Sequence, residues 1–398
     1  MQTLALDATV NANLRLNALI CLKNSIRSYW NRHATDSSAS AELAEAAAHR
    51  EQERQTLRAA ILDRLFQETS QPMVNQLKDA LGHISTVDFP KDWPALVPTI
   101  TAALASAAGM LSTGAAADTD AAFFLAQRSF DALCEVLERR KPVRKHMIVA
   151  ILTDHIDALH QHWSAFIGAF LHAIATLQAP QTAAGSAAVG AAALATASQL
   201  AKVCRTGTRA LSLTVVECNQ GVCTSPLGQT LFPNIAEVMT TMTKFQHELP
   251  CVDATHALRT DLRDLRAYAA EMVIQTQHQS PLLFSPFLGP FLALFKVIID
   301  QRAIVRDNKL ARFAATLAAA SATEGSFAGA FDIGDDQDEG SGNTKGNDGC
   351  SMQAFNFFCS VLLSGVYRGS AVASAMGSAG GLQFSPEAAS QAQTYVFA

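Results

Sequence analysis

The sequence lacks the motifs by which most enzymes and metal proteins are recognised. Its eight cysteines include no Cys-x-x-Cys pair, which argues against a zinc site or a redox pair. It contains no His-Glu-x-x-His, no phosphate-binding glycine loop and no Gly-x-Ser-x-Gly elbow, the usual marks of three enzyme classes. We therefore predict no catalytic residues, no metal, no cofactor and no enzymatic activity.

Charge is also scarce, at 16% of residues, whereas hydrophobic residues make up 49%. A chain with this balance is expected to fold over most of its length. Its net charge of −5 argues against a nucleic-acid-binding protein. Strand-type alternation is rare and alanine is frequent, which favours helices.

No secretory signal opens the sequence, because Asp7 and Arg15 interrupt any apolar run. The chain is therefore expected to be intracellular and soluble. Leu282–Ile299 is long and apolar enough to suggest a membrane span. Pro286 and Lys296 within it favour a buried helix instead, so no membrane insertion is predicted.

The histidines and cysteines give no clear site. His155, His160 and His162 share one segment, but His155 and His162 are two helical turns apart, too far for one metal ion. A solvated or groove-facing set is the favoured interpretation. Most cysteines lie among apolar helical residues and are expected to be reduced, buried thiols.

The densest basic run covers residues 139–146 and reads Arg-Arg-Lys-Pro-Val-Arg-Lys-His. It has two interpretations. The favoured one is a helix C-terminus followed by a solvated turn, since cations complement the negative end of a helix. The alternative is a contact for an acidic partner or cargo.

The clearest helical pattern runs from Gln76 to Leu104. Apolar residues recur at three- and four-residue spacing on both sides of a proline-marked turn, as on one face of a helix. Pro90 ends the first helix because it has no N–H and biases Phe89 away from helical geometry. Asp92 and Pro94 are expected to start the second helix, as its cap and first-turn residue.

The same pattern predicts helices along the whole chain. Their ranges are 11–33, 54–68, 73–87, 93–105, 121–140, 143–177, 191–217, 227–248, 254–279, 286–304, 306–322 and 352–368. Adjacent helices are paired, 73–87 with 93–105 and 121–140 with 143–177, and a pair takes about 40–50 residues, the period of HEAT-type repeats. Such pairs need like neighbours on both sides. The predicted fold is therefore all-α, a right-handed α-solenoid of antiparallel HEAT-type pairs with disordered inserts.

Composition changes divide the sequence into six regions. Residues 34–53 also look like an inserted loop within the first region, with nascent helix as the alternative. Asp335–Gly340 looks faintly like a calcium loop but lacks the closing glutamate, so a disordered acidic loop is the favoured interpretation. The regions are 1–105 with the first repeats, a low-complexity insert at 106–120, further repeats at 121–322, a disordered Gly- and Asp-rich loop at 323–350, a last helix at 351–368 and a disordered tail at 369–398.

Two motifs resemble one known family. Cys21–Trp30, which includes Leu-Lys-Asn, resembles the end of the importin-N segment of importin-beta type karyopherins. Asp88–Pro98 resembles that family's Asp-x-Pro-x-x-Trp-Pro-x-Leu-x-Pro turn. Tyr29–His33 is most similar to the importin-eleven branch. The residues that carry the resemblance, which we interpret as structural, are Leu22, Lys23, Asn24, Trp30, Asp88, Pro90, Trp93 and Pro94.

The resemblance implies a nuclear transport receptor that shuttles between cytoplasm and nucleus through the nuclear pore. Its partners would be the small GTPase Ran in the GTP form, protein cargo and phenylalanine-glycine nucleoporins. In this family Ran sits on the inner helices of the first repeats, which here are 54–68 and 93–105. The exposed polar residues expected to face Ran are Arg54, Arg58, Gln67 and Thr101.

The chain departs from the family pattern in three ways. A first helix is missing before residue 11, alanine-rich inserts interrupt the loops, and the C-terminal half or more is absent. A different class of function therefore stays open: a generic HEAT-repeat scaffold in a complex unrelated to transport.

Overall fold

A computed structural model describes residues 2–30, 41–113, 116–178, 186–248, 253–299 and 357. Within these ranges every regular element is helical, which confirms the all-α prediction. The chain divides into two compact units, Met1–Cys218 and Asn219–Ala398. The hand of the superhelix stays a prediction.

The first unit contains eight α-helices among its described residues. They are α1 (Gln2–Leu6), α2 (Ala12–Tyr29), α3 (Ala41–Gln67), α4 (Gln71–Asp88), α5 (Leu96–Thr113), α6 (Ala116–Glu138), α7 (Lys145–Gln178) and α8 (Ser186–Glu217). A 3₁₀ turn, Pro142–Arg144, precedes α7.

Local sequence explains where several of these helices begin and end. The Asn11 side chain accepts a hydrogen bond from the Asn13 N–H at 3.0 Å and caps α2, as N-cap residues do. Pro72 lies in the first turn of α4, where a missing N–H costs nothing. At the far end of α4 the chain leaves helical geometry at Phe89, just before Pro90, as predicted.

The start of α5 differs from the prediction. Pro94 lies in a turn and Leu96 is the first helical residue, so Asp92 does not cap this helix. The reason is that the turn is already bonded to α4, because the Asp92 and Trp93 N–H groups both donate to the Asp88 carbonyl, at 2.7 and 3.2 Å.

The helices of the first unit form two layers. In one layer α2, α4, α6 and α8 each pack against the next, while α5 and α7 pack together in the other. Here α3 contacts α4 and α6, α5 packs most extensively against α6, and α7 against α8. The sequence pattern joins 73–87 with 93–105 and 121–140 with 143–177. In each case the second helix instead makes its largest contact with the following helix.

Ion pairs join neighbouring helices of the α2–α8 layer. Asp79 on α4 lies 3.8 Å from Lys23 on α2 and 2.7 Å from Arg139 beyond α6. Lys78 on α4 bonds Asp131 on α6 at 3.1 Å. These pairs add polar contacts to the apolar packing between neighbouring helices, and an exposed pair of this kind contributes at most about 1 kcal/mol.

Three stretches that we expected to be irregular or missing are helical. α1 precedes Asn11, α3 begins at Ala41 within the expected loop 34–53, and α5 and α6 cover most of the expected insert 106–120. The alanine-rich sequence explains this result, because alanine has the highest helix propensity yet adds no apolar stripe to a periodicity pattern. Residues 31–40 and 114–115 lie outside the described ranges.

The second unit is built around phenylalanine. Its helices are α9 (Asn219–Thr224), α10 (Pro226–Glu248), α11 (Asp253–Gln279), α12 (Pro281–Phe284) and α13 (288–299), with a 3₁₀ turn at Ser285–Phe287. Phe232 of α10 meets Phe284 and Phe287 with ring centroids 5.1 and 4.7 Å apart. Phe295 of α13 meets Phe357, which is fully buried, at 4.8 Å.

The predicted helices 306–322 and 352–368, the loop 323–350 and the tail fall outside the described residues, apart from Phe357. Among the residues that are described, a pair of helical stretches is long and apolar enough to cross a membrane, Leu96–Thr113 and Pro281–Ile299. Packing within the protein buries 33% of the first stretch and 44% of the second.

Candidate interaction surface and its polar lock

Asp88, at the last turn of α4, is the centre of a buried polar cluster that joins three helices. Its carboxylate accepts hydrogen bonds from Arg58 Nε of α3 at 2.7 Å and from Trp30 Nε1 at the end of α2 at 3.0 Å. The Asp88 side chain is only 1% exposed and that of Arg58 4%. Removing either member of this buried ion pair would leave the other charge buried without a partner, which is strongly destabilising.

Arg54 completes the cluster from one turn earlier on α3. Its guanidinium carbon lies 4.5 Å from the centre of the Trp30 ring, within the range of a cation–π contact. One of its Nη groups donates to the Trp30 carbonyl at 2.9 Å. Arg58 reaches in turn to Glu51 at 2.8 Å. We call Trp30, Arg54, Arg58 and Asp88 the polar lock.

The polar lock brings together the two motifs recognised in the sequence. Trp30 closes the first motif and Asp88 opens the second, 58 positions away. Trp93 is buried at 9% exposure and Leu22 at 8%, while the structural interpretation of the motif residues stays a prediction. Asn24 and Pro94 are exposed and Pro90 is buried.

The same arrangement changes the list of exposed residues. Arg58 is 3% exposed and Thr101 8%, so the expectation that these two residues are surface-exposed was wrong. Arg58 is buried because its guanidinium bonds the buried Asp88 carboxylate. The Thr101 hydroxyl donates to the Val97 carbonyl of its own helix at 3.0 Å. Arg54 is half-buried and Gln67 is exposed.

A second ionic cluster bonds the other ends of α2 and α4 to the C-terminal end of α3. Glu68, just beyond α3, lies 3.2 Å from Arg15 of α2 and 2.6 Å from Arg64, and accepts the Ser70 N–H at 3.0 Å. Burial acts to raise the pKa of Glu68, but the Ser70 hydrogen bond and Arg64 overcome it and lower this pKa below its ordinary value. Helices α2 and α4 are thus bonded at both ends, and α3 is bonded at its middle and at its C-terminal end.

From His49 onward, the side chains of α3 that remain accessible form a mostly polar face. Its C-terminal end is formed by Asp63 and Gln67, whose amide donates to Asp63 at 3.0 Å. The middle of α3, at residues 50–57, borders a groove of about 560 Å³ against α2. Leu22, Ile26 and Leu57 are among the lining residues. This combination of an apolar floor and a polar border suits the binding of a protein segment.

One comparison with known families bears on these helices. Residues 1–67 match the importin-beta N-terminal domain. The matched range contains α1, α2 and α3, and it supports placing the chain in the importin-beta superfamily. The importin-eleven branch is a finer assignment that stays a prediction. No curated protein sequence matches the chain.

The match also bears on our expectation of a missing first helix. The matched range begins at residue 1, and the structure has α1 there. α1 packs against α2 and α3, so these first residues belong to the packed domain.

The basic run of residues 139–146 begins at the C-terminus of α6, where Arg140 donates to the Leu137 carbonyl, as the favoured interpretation predicts. Its arginines also have a second role that this interpretation did not include. Arg139 bonds Asp79 at 2.7 Å, Arg140 pairs with Glu217 of α8, and Arg144 donates to the Phe89 carbonyl at 2.9 Å. The arginines therefore bind neighbouring elements of the first unit. Spacing alone could not show this, since their acceptors lie more than 50 positions away.

The histidine and cysteine predictions have mixed outcomes. His160 is buried and stacks on Trp163 with ring centroids 6.0 Å apart, so it is not a member of a solvated set. Burial lowers the pKa of His160. Cys134, Cys204, Cys218 and Cys223 are free and buried as predicted, whereas Cys21 is exposed. Among the described residues no three His, Cys, Asp or Glu side chains are grouped as a metal site.

Proposed function

We propose that this chain is an importin-type nuclear transport receptor that binds Ran in its GTP form and carries protein cargo. The observation that carries the proposal is the match of residues 1–67 to the importin-beta N-terminal domain. The direct bond between Trp30 and Asp88 supports it, because it gives two separate family-like motifs one structural purpose.

The proposed GTPase surface is the exposed face of α3. Arg58 and Thr101 have no place on it, since both are buried. Gln67 is accessible, and Arg54 keeps a partly exposed side chain of 25%. The polar lock would present this face at a fixed angle, which lowers the ordering cost of binding.

The proposed mechanism is thermodynamic linkage without covalent chemistry. If Ran and cargo bind overlapping regions of the solenoid, the binding free energy of one lowers the affinity for the other by the same factor in both directions. The same proposal includes three further points. The chain would bind phenylalanine-glycine nucleoporins, shuttle between cytoplasm and nucleus, and catalyse no reaction.

A pull-down with the full chain tests GTPase binding. Ran loaded with a non-hydrolysable GTP analogue should retain the chain, and Ran loaded with GDP should not. Gln67→Arg should weaken the retention, because it places a long charged side chain on the proposed face. Gln71→Arg is the matched control: Gln71 is also an exposed glutamine that bonds a residue on its own helix, but it lies on α4.

Equal retention with both nucleotides, or none with either, would favour a scaffold outside transport. Equal weakening by Gln67→Arg and Gln71→Arg would leave GTPase binding in place and reject the α3 face as its site.

A further inference from the structure

The turn between α6 and α7 separates its side chains by type. The arginines point into the protein: Arg140 pairs with Glu217, and Arg144 donates to the carbonyls of Val87 and Phe89. These bonds attach the turn to α8 on one side and to the end of α4 on the other. The turn is thus anchored by its own charged residues.

The remaining side chains of the turn point outward. Val143 is 87% exposed, the highest value of any large apolar side chain among the described residues, and Met147 is 38% exposed. Lys141 and His146 are exposed beside them, and the Lys145 side chain is 57% exposed. We call Lys141, Val143, Lys145, His146 and Met147 the turn surface.

The turn surface combines two properties that solubility alone does not require. An exposed valine side chain forms no hydrogen bonds with water, and burying its apolar surface in a contact is favourable in free energy. Among the described residues the only acid paired with its cations is Glu217, which lies 3.9 Å from Lys145 and is already bonded to Arg140. Lys141 forms no ion pair with any described residue. The surface is therefore positive and apolar at once.

We propose that the turn surface binds an acidic, extended peptide that carries one large apolar residue. The acidic groups would meet Lys141 and Lys145, and the apolar side chain would cover Val143 and Met147. Because Arg140 and Arg144 already order the turn, little conformational freedom remains to be lost on binding. The proposal is independent of GTPase binding.

A peptide fits this surface better than a polyanion does. Nucleic acids and anionic membranes are held mainly by many cations in a row, and the salt dependence of binding grows with their number. The turn surface has two lysines and one histidine around an apolar centre, on a chain with a net charge of −5. The nucleic-acid backbone offers no apolar group to this centre, and two lysines are fewer than the roughly four to eight basic residues typical of anionic-membrane binding.

The test is fluorescence anisotropy with the full chain and a labelled peptide of glutamates around a central phenylalanine. Val143→Ser and Lys141→Glu should each weaken the peptide's affinity, by about tenfold for the valine given the usual value of a buried apolar side chain. Added salt should reduce the lysine effect and leave the valine effect. Replacing the peptide's phenylalanine by serine should have the same effect as Val143→Ser.

Matched controls separate the turn surface from general charge and hydrophobicity. Lys202→Glu makes the same charge change at an exposed site on α8, and Leu14→Ser removes an apolar side chain that is 63% exposed on α2. Neither should change the affinity.

Three outcomes would overturn the proposal. They are no peptide binding, equal losses in Lys202→Glu and Lys141→Glu, and tighter binding to anionic vesicles or RNA that is insensitive to Val143→Ser. Thermal unfolding monitored by tryptophan fluorescence checks that each variant is folded.

Discussion

Asp88 has three structural roles at once. It ends α4, accepts the N–H groups of the following turn, and binds Arg58 and Trp30 through its side chain. The sequence identified Asp88 as a member of a family-like turn, but it could not show the burial. Its partners lie 30 and 58 positions away, beyond the reach of any local pattern.

Replacing Asp88 by alanine should destabilise the first unit strongly. The change leaves the Arg58 guanidinium buried without its carboxylate, and breaking such a pair costs about 3–5 kcal/mol. The measurement is urea unfolding followed by tryptophan fluorescence. All three tryptophans, at positions 30, 93 and 163, lie in the first unit, so the signal reports on that unit alone.

The matched control is Asp79→Ala. Asp79 also has two cationic neighbours, Lys23 and Arg139, but its side chain is 41% exposed. Exposed pairs contribute at most about 1 kcal/mol. If both variants lost the same unfolding free energy, the buried pair between Asp88 and Arg58 would contribute no more stability than an exposed pair.

Two glutamates of the first unit should respond to pH in opposite directions. The pKa of Glu68 is lowered, so its charge stabilises the fold above the ordinary pKa of 4.5 and this contribution is lost as the pH falls through the folded-state pKa. Burial raises the pKa of Glu135 above 4.5, so its charge opposes folding at neutral pH and less so as the pH falls.

Glu68→Gln should therefore lower the unfolding free energy at neutral pH, and Glu135→Gln should raise it or leave it unchanged. The Glu135 difference should shrink as the pH falls from the raised folded-state pKa to 4.5, and the Glu68 difference should shrink only below 4.5, as the pH passes through its lowered folded-state pKa. Urea unfolding of each variant across this range measures them. Parallel pH profiles for the two variants would contradict the assigned directions.

For the helices, the sequence predicted which ones exist better than it predicted where each one begins and ends. Amphipathic spacing located the cores of α2, α4, α6 and α7, because a packed helix needs an apolar face at that period. It missed the first residues of α3, which begin at Ala41, since alanine and glutamate form a helix without such a face. The spacing also could not show which neighbouring helix would be the main packing partner of α5 or α7.

The close approach of α9 and α10 gives a prediction at this scale. A Cβ added to Gly228 would lie 2.5 Å from the Val222 carbonyl oxygen, and a backbone atom cannot rotate away. Gly228→Ala should therefore destabilise the second unit, by about 1–3 kcal/mol as in other overpacked sites. Unfolding followed by far-ultraviolet circular dichroism measures the loss.

Gly289→Ala is the control for that experiment. Gly289 also lies in a helix, and its added Cβ would have no neighbour within 4 Å. This change should stabilise the second unit by about 0.5–1 kcal/mol through the better helix propensity of alanine. A Gly228→Ala chain as stable as the Gly289→Ala chain would mean that α9 can move away from α10.

At the scale of the whole chain, the residues proposed for the GTPase lie in one unit. The matched domain, the polar lock and Gln67 all fall within Met1–Cys218. A chain of residues 1–218 should therefore fold and keep GTP-dependent binding to Ran. Circular dichroism checks the folding and the same pull-down checks the binding. A folded 1–218 chain without binding would place the GTPase site in later residues.

The polar lock also has an evolutionary consequence. Trp30, Arg58 and Asp88 are far apart in sequence but are bonded as one group, so selection should act on the three together. A relative that has lost Asp88 is expected to carry a neutral residue in place of Arg58, since a lone buried cation is costly. Scoring these three positions jointly should therefore recover distant relatives that position-by-position comparison misses.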